Sequence, residues 1–539
     1  MSSSCPQCGY NEQDRLPLSF EAANLAASRM DELLKSNNPP LQAERVQLEG
    51  VIGEGRGFLA GLQERIAQTR AALEGLLDEE RRVERTIESC KTIVRPIRRI
   101  PEDIIREIFL TCFGAEGEGK DSLDRNFAPL ILSQVCRDWR SIALSTSRLW
   151  SSIRLDFDQY RNELACQYLL QTYLLRSATH DITLSIHSTR DISRSHLIPV
   201  LLLSAPRWTD LSMTFPYNSL FTFSVARGSL HLLNRLSIQF IGDVPGLPVG
   251  LAKPIFDAFE YAPLLRSFSL RGAYRAIQQI NVPWSQLTEY AGHDLTSSYM
   301  DILKLAPDME SASLQCDEDS EDDYAVVRPS THQRLRVLHV HEVEETPDSF
   351  VPSEGGIIRV LSHIEVPALE SLSMTYAHPF IQLPTALRGS TAGNLKSLSI
   401  AAPSLIAVAV QADLIDLLKT TTSLSSLSVP YTLVPVDDQD RLVLSGLDDE
   451  LLLYLNANIN PDAVPKLTSL TIRLTNAVSY LMPSFVDMVQ SRRHATPTCA
   501  ALQTLRLSVP LVIPLGLDPD VAARWKDLCD EGLVTYGIE

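Results

Sequence analysis

The most regular hydrophobic pattern in the chain is a seven-residue repeat over residues 41–93. Apolar residues recur there at alternating spacings of three and four, as in a helix that packs along a narrow seam. The seam is formed by heptad position a (Ile52, Leu59, Ile66, Leu73, Glu80, Ile87) and position d (Leu48, Gly55, Leu62, Thr69, Leu76, Val83, Cys90). The pattern predicts a coiled-coil helix, with self-association through residues 59–90. A helix packed against its own chain is the alternative.

Four glycines interrupt the start of this repeat, at positions 50, 53, 55 and 57. Each costs a helix about 1 kcal/mol relative to alanine. We therefore expect a secure helix only from Leu59 onward. The preceding residues 1–40 are polar and end at Pro39-Pro40, which predicts a flexible tail with a short helix.

Residues 94–155 have the pattern of a compact helical region. Pro101, Glu102 and Asp103 suit a first helical turn, and Gly114 is predicted to end that helix. A second helix is predicted after Pro129, and a third short element at Leu149-Trp150. Residues 94–155 are rich in aliphatic and tryptophan side chains for a region this small, which indicates that a partner covers part of the region.

A degenerate phrase recurs beyond residue 180: an apolar residue, two others, an apolar residue, a small polar residue and an apolar residue. Its copies begin at Trp208, Leu233, Leu265, Leu287, Met309, Leu335, Leu369, Leu395, Leu424, Leu467 and Leu502. The alternating apolar positions predict short strands, and helix-length apolar patterns lie between them. Stacked units of helix, turn and strand predict a solenoid with a parallel sheet over residues 156–539. Asp518-Pro519-Asp520 predicts a C-terminal capping helix.

The composition is that of a globular protein, with 539 residues, 45% hydrophobic and 21% charged. Its net charge of −18 argues against broad adhesion to nucleic acid or to anionic membranes. There is no run of eighteen apolar residues, and nine cysteines lack the spacing of a disulfide framework. We expect a cytoplasmic or nuclear protein that uses no cofactor, nucleic acid or membrane.

No motif predicts catalysis. Cys5-x-x-Cys8 has the spacing of half a zinc site, but no second pair follows it. Gly114 to Asp121 approaches a phosphate-binding loop, but Asp121 replaces the magnesium-binding hydroxyl and the loop follows a helix. We predict no catalytic residue and no metal ligand, and a plain tail is the favoured interpretation of Cys5 and Cys8.

Residues 94–155 closely resemble an F-box. The residues that carry the resemblance are Ile100-Pro101-Glu102-Asp103-Ile104-Ile105, Ile108-Phe109, Val135-Cys136-Arg137-Asp138-Trp139-Arg140 and Leu149-Trp150, in the order of the family pattern. The repeats resemble leucine-rich repeats without the usual turn asparagine, so an irregular solenoid is expected. Together with the heptad helix, this organisation is similar to F-box proteins abundant in mushroom-forming fungi. The expected fold is α/β: a coiled-coil helix and a three-helix F-box, then an irregular leucine-rich-repeat solenoid.

The resemblance implies the substrate-recognition adaptor of an SCF-type ubiquitin ligase. The box would bind the small linker subunit, and through it cullin, while the repeats bind an unknown target protein. The residues expected to bind the linker subunit are Ile100, Pro101, Ile104, Ile105, Ile108, Phe109, Val135, Cys136, Trp139, Leu149 and Trp150. The first alternative is an interaction scaffold outside the ligase that dimerises through its coiled coil. The second is an enzyme or redox protein built on Cys5 and Cys8.

Overall fold

The computed structural model describes residues 27–116, 120–242, 256–272, 279–317, 330–342, 356–376, 392–401, 408–431, 449–474, 483–494, 499–507 and 519–536. The Cys5-x-x-Cys8 motif and residues 318–323 of the acidic run lie outside these ranges. The chain divides into two compact units, residues 1–104 and 105–539. Among the described residues, no helix has the length and apolar character needed to cross a membrane.

The N-terminal unit consists mainly of α1 (Ala27–Lys35) and α2 (Gln42–Val94), followed by a short 3-10 helix at Pro96–Arg99. The Arg29 guanidinium reaches the Glu44 carboxylate at 3.1 Å and joins α1 to the start of α2. Helix α2 begins at Gln42, so the expectation that the four glycines delay the helix until Leu59 is wrong. With 53 residues, α2 is about 80 Å long, and the propensity cost of a few glycines is small against that length.

Three α-helices form the box region: α3 (Glu102–Glu116), α4 (Ala128–Val135) and α5 (Arg137–Ser145), followed by a 3-10 helix at Ser147–Trp150. The predicted second helix is in fact two. Cys136 separates them with an extended backbone (φ −156°, ψ 176°), and its Sγ accepts a hydrogen bond from the Trp139 amide at 3.4 Å. Cys136 therefore acts as the N-cap of α5. The first helix also continues two residues beyond Gly114.

The rest of the described chain alternates strands with helices and 3-10 turns. The strands are β1 (Ser152–Asp156), β2 (Ile182–His187), β3 (Trp208–Phe215), β4 (Arg235–Phe240), β5 (Ser267–Arg271), β6 (Glu289–Leu295), β7 (Ser311–Asp317), β8 (Ser330–Thr331), β9 (Val337–Glu342), β10 (Ile364–Glu365), β11 (Ser371–Thr375), β12 (Ser397–Ala401), β13 (Ser426–Tyr431), β14 (Ser469–Leu474), β15 (Thr504–Leu507) and β16 (Val534–Tyr536). The helices are α6 (Glu163–Arg176), α7 (Leu197–Leu202), α8 (Thr296–Leu305), α9 (Gly356–Ser362), α10 (Val408–Thr420), α11 (Asp449–Leu455), α12 (Pro483–Ser491) and α13 (Pro519–Asp530).

Fourteen of these strands form one parallel sheet in chain order, from β1 through β7, then β9 and β11 through β16. The two short strands β8 and β10 pair separately. The predicted α/β fold with a parallel-sheet solenoid is confirmed. All eleven phrases found in the sequence become strands of this sheet, and the apolar residue that begins each phrase is buried. Equivalent apolar side chains stack from strand to strand, as Leu372, Leu398 and Leu427 do.

Backbone hydrogen bonds join successive repeats at the start of the strands. In successive repeats, one carbonyl accepts hydrogen bonds from two consecutive amides of the next repeat. The Glu370 carbonyl, for example, accepts from the Lys396 and Ser397 amides at 2.7 and 2.9 Å. The Glu370 side chain also pairs with Lys396 at 2.8 Å, and this hydrogen bond lowers the pKa of Glu370. These links between repeats are formed by main-chain atoms, which any side chain permits.

Both ends of the sheet extend beyond the sequence prediction. Strand β1 begins within the predicted box range 94–155, ends at Asp156 and pairs with β2, so the box runs directly into the solenoid. The predicted capping helix is present as α13, where Val521, Trp525 and Leu528 are buried. It is followed by β16, which pairs with β15, so this helix is part of a further repeat rather than a terminal cap.

Candidate partner-binding face

Helix α3 has apolar side chains on two sides. Ile105 and Phe109 are buried, whereas Ile104 and Ile108 are 52% and 41% exposed. Residues four apart lie one above the other on a helix, so each pair forms one stripe. The inner stripe already supplies the core contacts of this helix, and the outer stripe is left to solvent.

Helices α4 and α5 also leave apolar side chains in solvent. Ile131 and Val135, four residues apart on α4, are 43% and 56% exposed, and Leu144 of α5 is 39% exposed. Trp139 is half-buried, with its ring edge against Phe109 at a centroid distance of 4.9 Å. We name the side chains of Ile108, Ile131, Val135, Trp139 and Leu144 the box face.

Four of the eleven residues predicted to contact a partner are instead buried in this chain. Ile105 is 8% exposed, and Phe109, Leu149 and Trp150 are fully buried. They offer no surface to a second protein in this structure, because the chain's own helices and strands already cover them. Their place in the box is to hold the outer side chains in position.

Trp150 shows how this support is built. Its indole Nε1 donates to the Ala143 carbonyl of α5 at 2.8 Å. Its ring meets Tyr173 edge-on at 4.9 Å, and the Arg176 guanidinium lies over it at 4.4 Å. The tryptophan therefore links α5 to α6.

The remaining predicted residues lie at element ends. Ile100 is half-buried and Pro101 is exposed, both just before α3. Cys136 is an exposed free thiol that serves as the N-cap of α5. That these three residues contact a partner stays a prediction.

A buried carboxylate holds the box to the first strand. Asp121 is 5% exposed, and it accepts hydrogen bonds from the Leu123 and Asp156 amides at 2.6 Å and from the Tyr160 hydroxyl at 2.5 Å. Burial raises the pKa of the Asp121 carboxyl, and these hydrogen bonds oppose that rise. Next to it, Ser122 exchanges hydrogen bonds with Arg154, so this loop covers the free edge of β1.

Replacing Asp121 by asparagine is expected to lower the free energy of unfolding by about 1–3 kcal/mol. An amide has one acceptor oxygen instead of two, so one of the three donors loses its partner or faces an NH₂ group. Urea unfolding of the full chain measures the change. The exposed Asp124→Asn variant is the control, expected within about 0.5 kcal/mol of the parent. Equal stability of both variants would contradict this role of Asp121.

The solvent side of the sheet carries a row of small hydroxyl side chains. Neighbouring strands place serines side by side in register at Ser185, Ser212, Ser237, Ser269, Ser313, Ser373 and Ser399. Ser428 continues the row, but its hydroxyl is buried. Ala291 and His339 take the place of serine in β6 and β9. Small side chains let another polypeptide approach the sheet closely, and hydroxyls can donate or accept hydrogen bonds.

One group of potential metal ligands occurs among the described residues, at Asp156, Asp158 and His187. Asp158 accepts hydrogen bonds from the Thr189 amide at 2.8 Å and the Ser188 hydroxyl at 3.2 Å. The carboxylates thus have protein donors and organise the connections after β1 and β2.

Sequence reasoning missed two kinds of residue here. Ile131 and Leu144 were not predicted to bind, although the spacing of Ile131 to Val135 marks one face of a helix. Asp121 was considered only for a phosphate-binding loop. No signal in the sequence pairs Asp121 with Tyr160, because that contact joins residues 39 positions apart.

No family model and no curated protein matches this chain. Among solved structures, the chain is similar to a complex of Rad7 and Elc1 from yeast, with 14% sequence identity and a TM-score of 0.30. The alignment covers 82% of this chain and 96% of the other chain. A similarity at this level is too low to assign a fold, a function or a partner.

Proposed function

We propose that the protein is the substrate-recognition adaptor of an SCF-type ubiquitin ligase. The box face binds the linker subunit, and through it cullin, while the solvent side of the sheet binds a target protein. One observation carries the proposal: the F-box sequence pattern coincides with helices whose outer apolar side chains are 39–56% exposed among the residues that the structure describes.

Exposed apolar side chains on short adjacent helices are the kind of surface that protein interfaces bury. Fully burying one aliphatic side chain contributes roughly 1.5–3 kcal/mol, and a few such residues dominate a typical interface. Ile108, Ile131 and Val135 are each partly exposed, so each contributes a fraction of that value. Trp139 adds a half-buried ring, and tryptophan is enriched among such dominant residues.

An adaptor acts by position rather than by bond chemistry. A target held by the solenoid stays near the ligase, which raises the effective concentration of the target at the site of ubiquitin transfer. The row of serines offers a neutral, hydrogen-bonding surface for such a target. The role needs no nucleophile or metal in this chain.

Capture of cullin tests this role against a scaffold outside the ligase. Purified full chain is mixed with the linker subunit and cullin, then recovered through a tag on the chain. We expect cullin to be recovered only when the linker subunit is present, and we expect Val135→Asp to reduce the recovery at least tenfold, because a charge then lies in the apolar contact.

Val225→Asp is the matched control, since Val225 is 76% exposed on the 3-10 helix Tyr217–Ala226. It should recover as much cullin as the parent. Recovery of the linker subunit without cullin would favour the scaffold alternative. Equal recovery by both valine variants would remove the box face from the proposal.

A further inference from the structure

Helix α2 presents a long apolar seam to solvent. None of its 53 residues, all of which the structure describes, is buried. The aliphatic side chains at position a are about half exposed, with Ile52 at 52%, Leu59 at 54% and Ile66 at 50%. A seam with a strict seven-residue period fits a second helix rather than a flat surface.

We infer that α2 pairs with the α2 of a second copy of this chain in antiparallel orientation, with the two-fold axis near residue 71. This goes beyond the proposed ligase role and is independent of it. The orientation follows from the charges beside the seam, at heptad positions e and g, which set partner choice and direction in coiled coils.

A parallel dimer in register is disfavoured by these charges. In that orientation, a g residue meets the e residue five positions later on the other helix. The contacts between two charged residues are then Glu44 with Glu49, Arg65 with Arg70 and Glu79 with Glu84, and each of them occurs twice in the dimer. Glu80 at position a would also face Glu80 of the second copy within the seam. All these contacts join like charges.

The antiparallel orientation pairs each a residue with a d residue of the second copy. With the axis near residue 71, positions that sum to 142 face one another across the seam. In four of these a–d pairs, both residues are exposed in the single chain. The pairs are Ile52 with Cys90, Leu59 with Val83, Ile66 with Leu76 and Leu73 with Thr69. Glu80 then meets Leu62 instead of a second carboxylate. The overlap extends from Leu48 to Val94.

The same register pairs opposite charges beside the seam. In antiparallel helices, e meets e and g meets g. The contacts are Glu49 with Lys91, Arg56 with Glu84 and Arg65 with Glu79, each occurring twice, and Val51 meets Ile93. One like-charge contact remains, between the two copies of Arg70 at the axis. Sliding one helix along the other by seven residues breaks these ion pairs. In one direction the slide places Glu49 against Glu84, and in the other it places Arg56 against Lys91.

Native Cys90 allows a direct test of orientation in the full chain. It is an exposed free thiol at position d. In the antiparallel dimer it faces Ile52 of the second copy, whereas in a parallel dimer it faces Cys90. We expect Ile52→Cys to give an intermolecular disulfide between residues 52 and 90 after mild oxidation, identified by peptide mapping. A Cys90–Cys90 crosslink in the parent chain, without the 52–90 crosslink in the variant, would overturn the proposal.

A charge reversal gives a second test with opposite outcomes for the two orientations. In the antiparallel dimer, Arg65→Glu faces Glu79, and sedimentation should show dimerisation weakened about tenfold, because two surface ion pairs become two repulsions. Adding Glu79→Arg should restore it. In a parallel dimer, Arg65→Glu would instead meet Arg70 and strengthen association. A chain that stays monomeric up to 100 µM, roughly the range of weak transient association, would also overturn the proposal.

Discussion

Replacing Trp150 by alanine is expected to lower the free energy of unfolding by about 3–5 kcal/mol, the range for truncating a fully buried large aromatic side chain. Trp150 is fully buried and contacts Tyr173 and Arg176 of α6, and its indole donates to Ala143 of α5. Truncation leaves a cavity between these helices and an acceptor without its donor. Chemical unfolding of the full chain, followed by circular dichroism, measures the change.

Two variants separate these contributions. Trp150→Phe keeps a ring but loses the indole hydrogen bond, so the expected loss is smaller, about 1–2 kcal/mol. Tyr168→Ala removes an aromatic residue of α6 that is 71% exposed, and it should change stability by less than about 0.5 kcal/mol. A cost for Trp150→Ala no larger than that for Tyr168→Ala would show that Trp150 does not hold the box in place.

Replacing Arg492 by methionine is expected to cost about 3 kcal/mol or more, because the Leu455 and Ala463 carbonyls lose this donor and a buried acceptor left unpaired costs about 1–3 kcal/mol, whereas the Val464 carbonyl keeps the Leu467 amide. Arg492 is fully buried and follows α12 directly. Its Nε donates to the Leu455 carbonyl, and its two terminal nitrogens donate to the Val464 and Ala463 carbonyls, at 2.5, 3.2 and 2.5 Å. Burial lowers the pKa of this guanidinium, but arginine stays charged at neutral pH. Thermal unfolding of the full chain measures the loss.

The neighbouring Arg493 provides the matched control. Its guanidinium pairs with Glu531 at 2.6 Å near the surface, where an ion pair contributes at most about 1 kcal/mol. Arg493→Met should therefore have little effect. Arg492→Lys should remain destabilising, because an ammonium group cannot reach three carbonyls with the geometry of a planar guanidinium. Equal midpoints for Arg492→Met and Arg493→Met would contradict the role of Arg492.

The repeats could be predicted because the same short phrase recurs along the chain, although the intervals between its copies vary. Each phrase places an apolar side chain at alternate positions, and burial on one side of a sheet requires that alternation. Strands β1 and β16 escaped prediction because each departs from the phrase: Arg154 takes the place of the small polar residue in β1, and Glu531 takes the place of the leading apolar residue before β16. Their places in the sheet depend on pairing with β2 and β15, which is contact between residues distant in sequence.

The box could be predicted as a set of helices, but the sequence could not say which apolar residues face outward. Ile104 and Ile105 are the same residue type at adjacent positions, yet one is 52% and the other 8% exposed. On a helix that is apolar on two sides, periodicity alone does not identify the inner side. Similarly, the break at Cys136 depends on its own side chain capping α5, which a continuous helical pattern conceals.

The most direct test of the central claim is a calorimetric titration of the purified linker subunit into the full chain. We predict one linker subunit bound per chain with a Kd of about 1 µM or tighter, typical of a specific protein complex. Ile108→Asp and Val135→Asp should each weaken binding at least tenfold, while Val225→Asp leaves it unchanged. No binding by the parent chain, or the same affinity in all three variants, would contradict the claim that the box face is a docking surface.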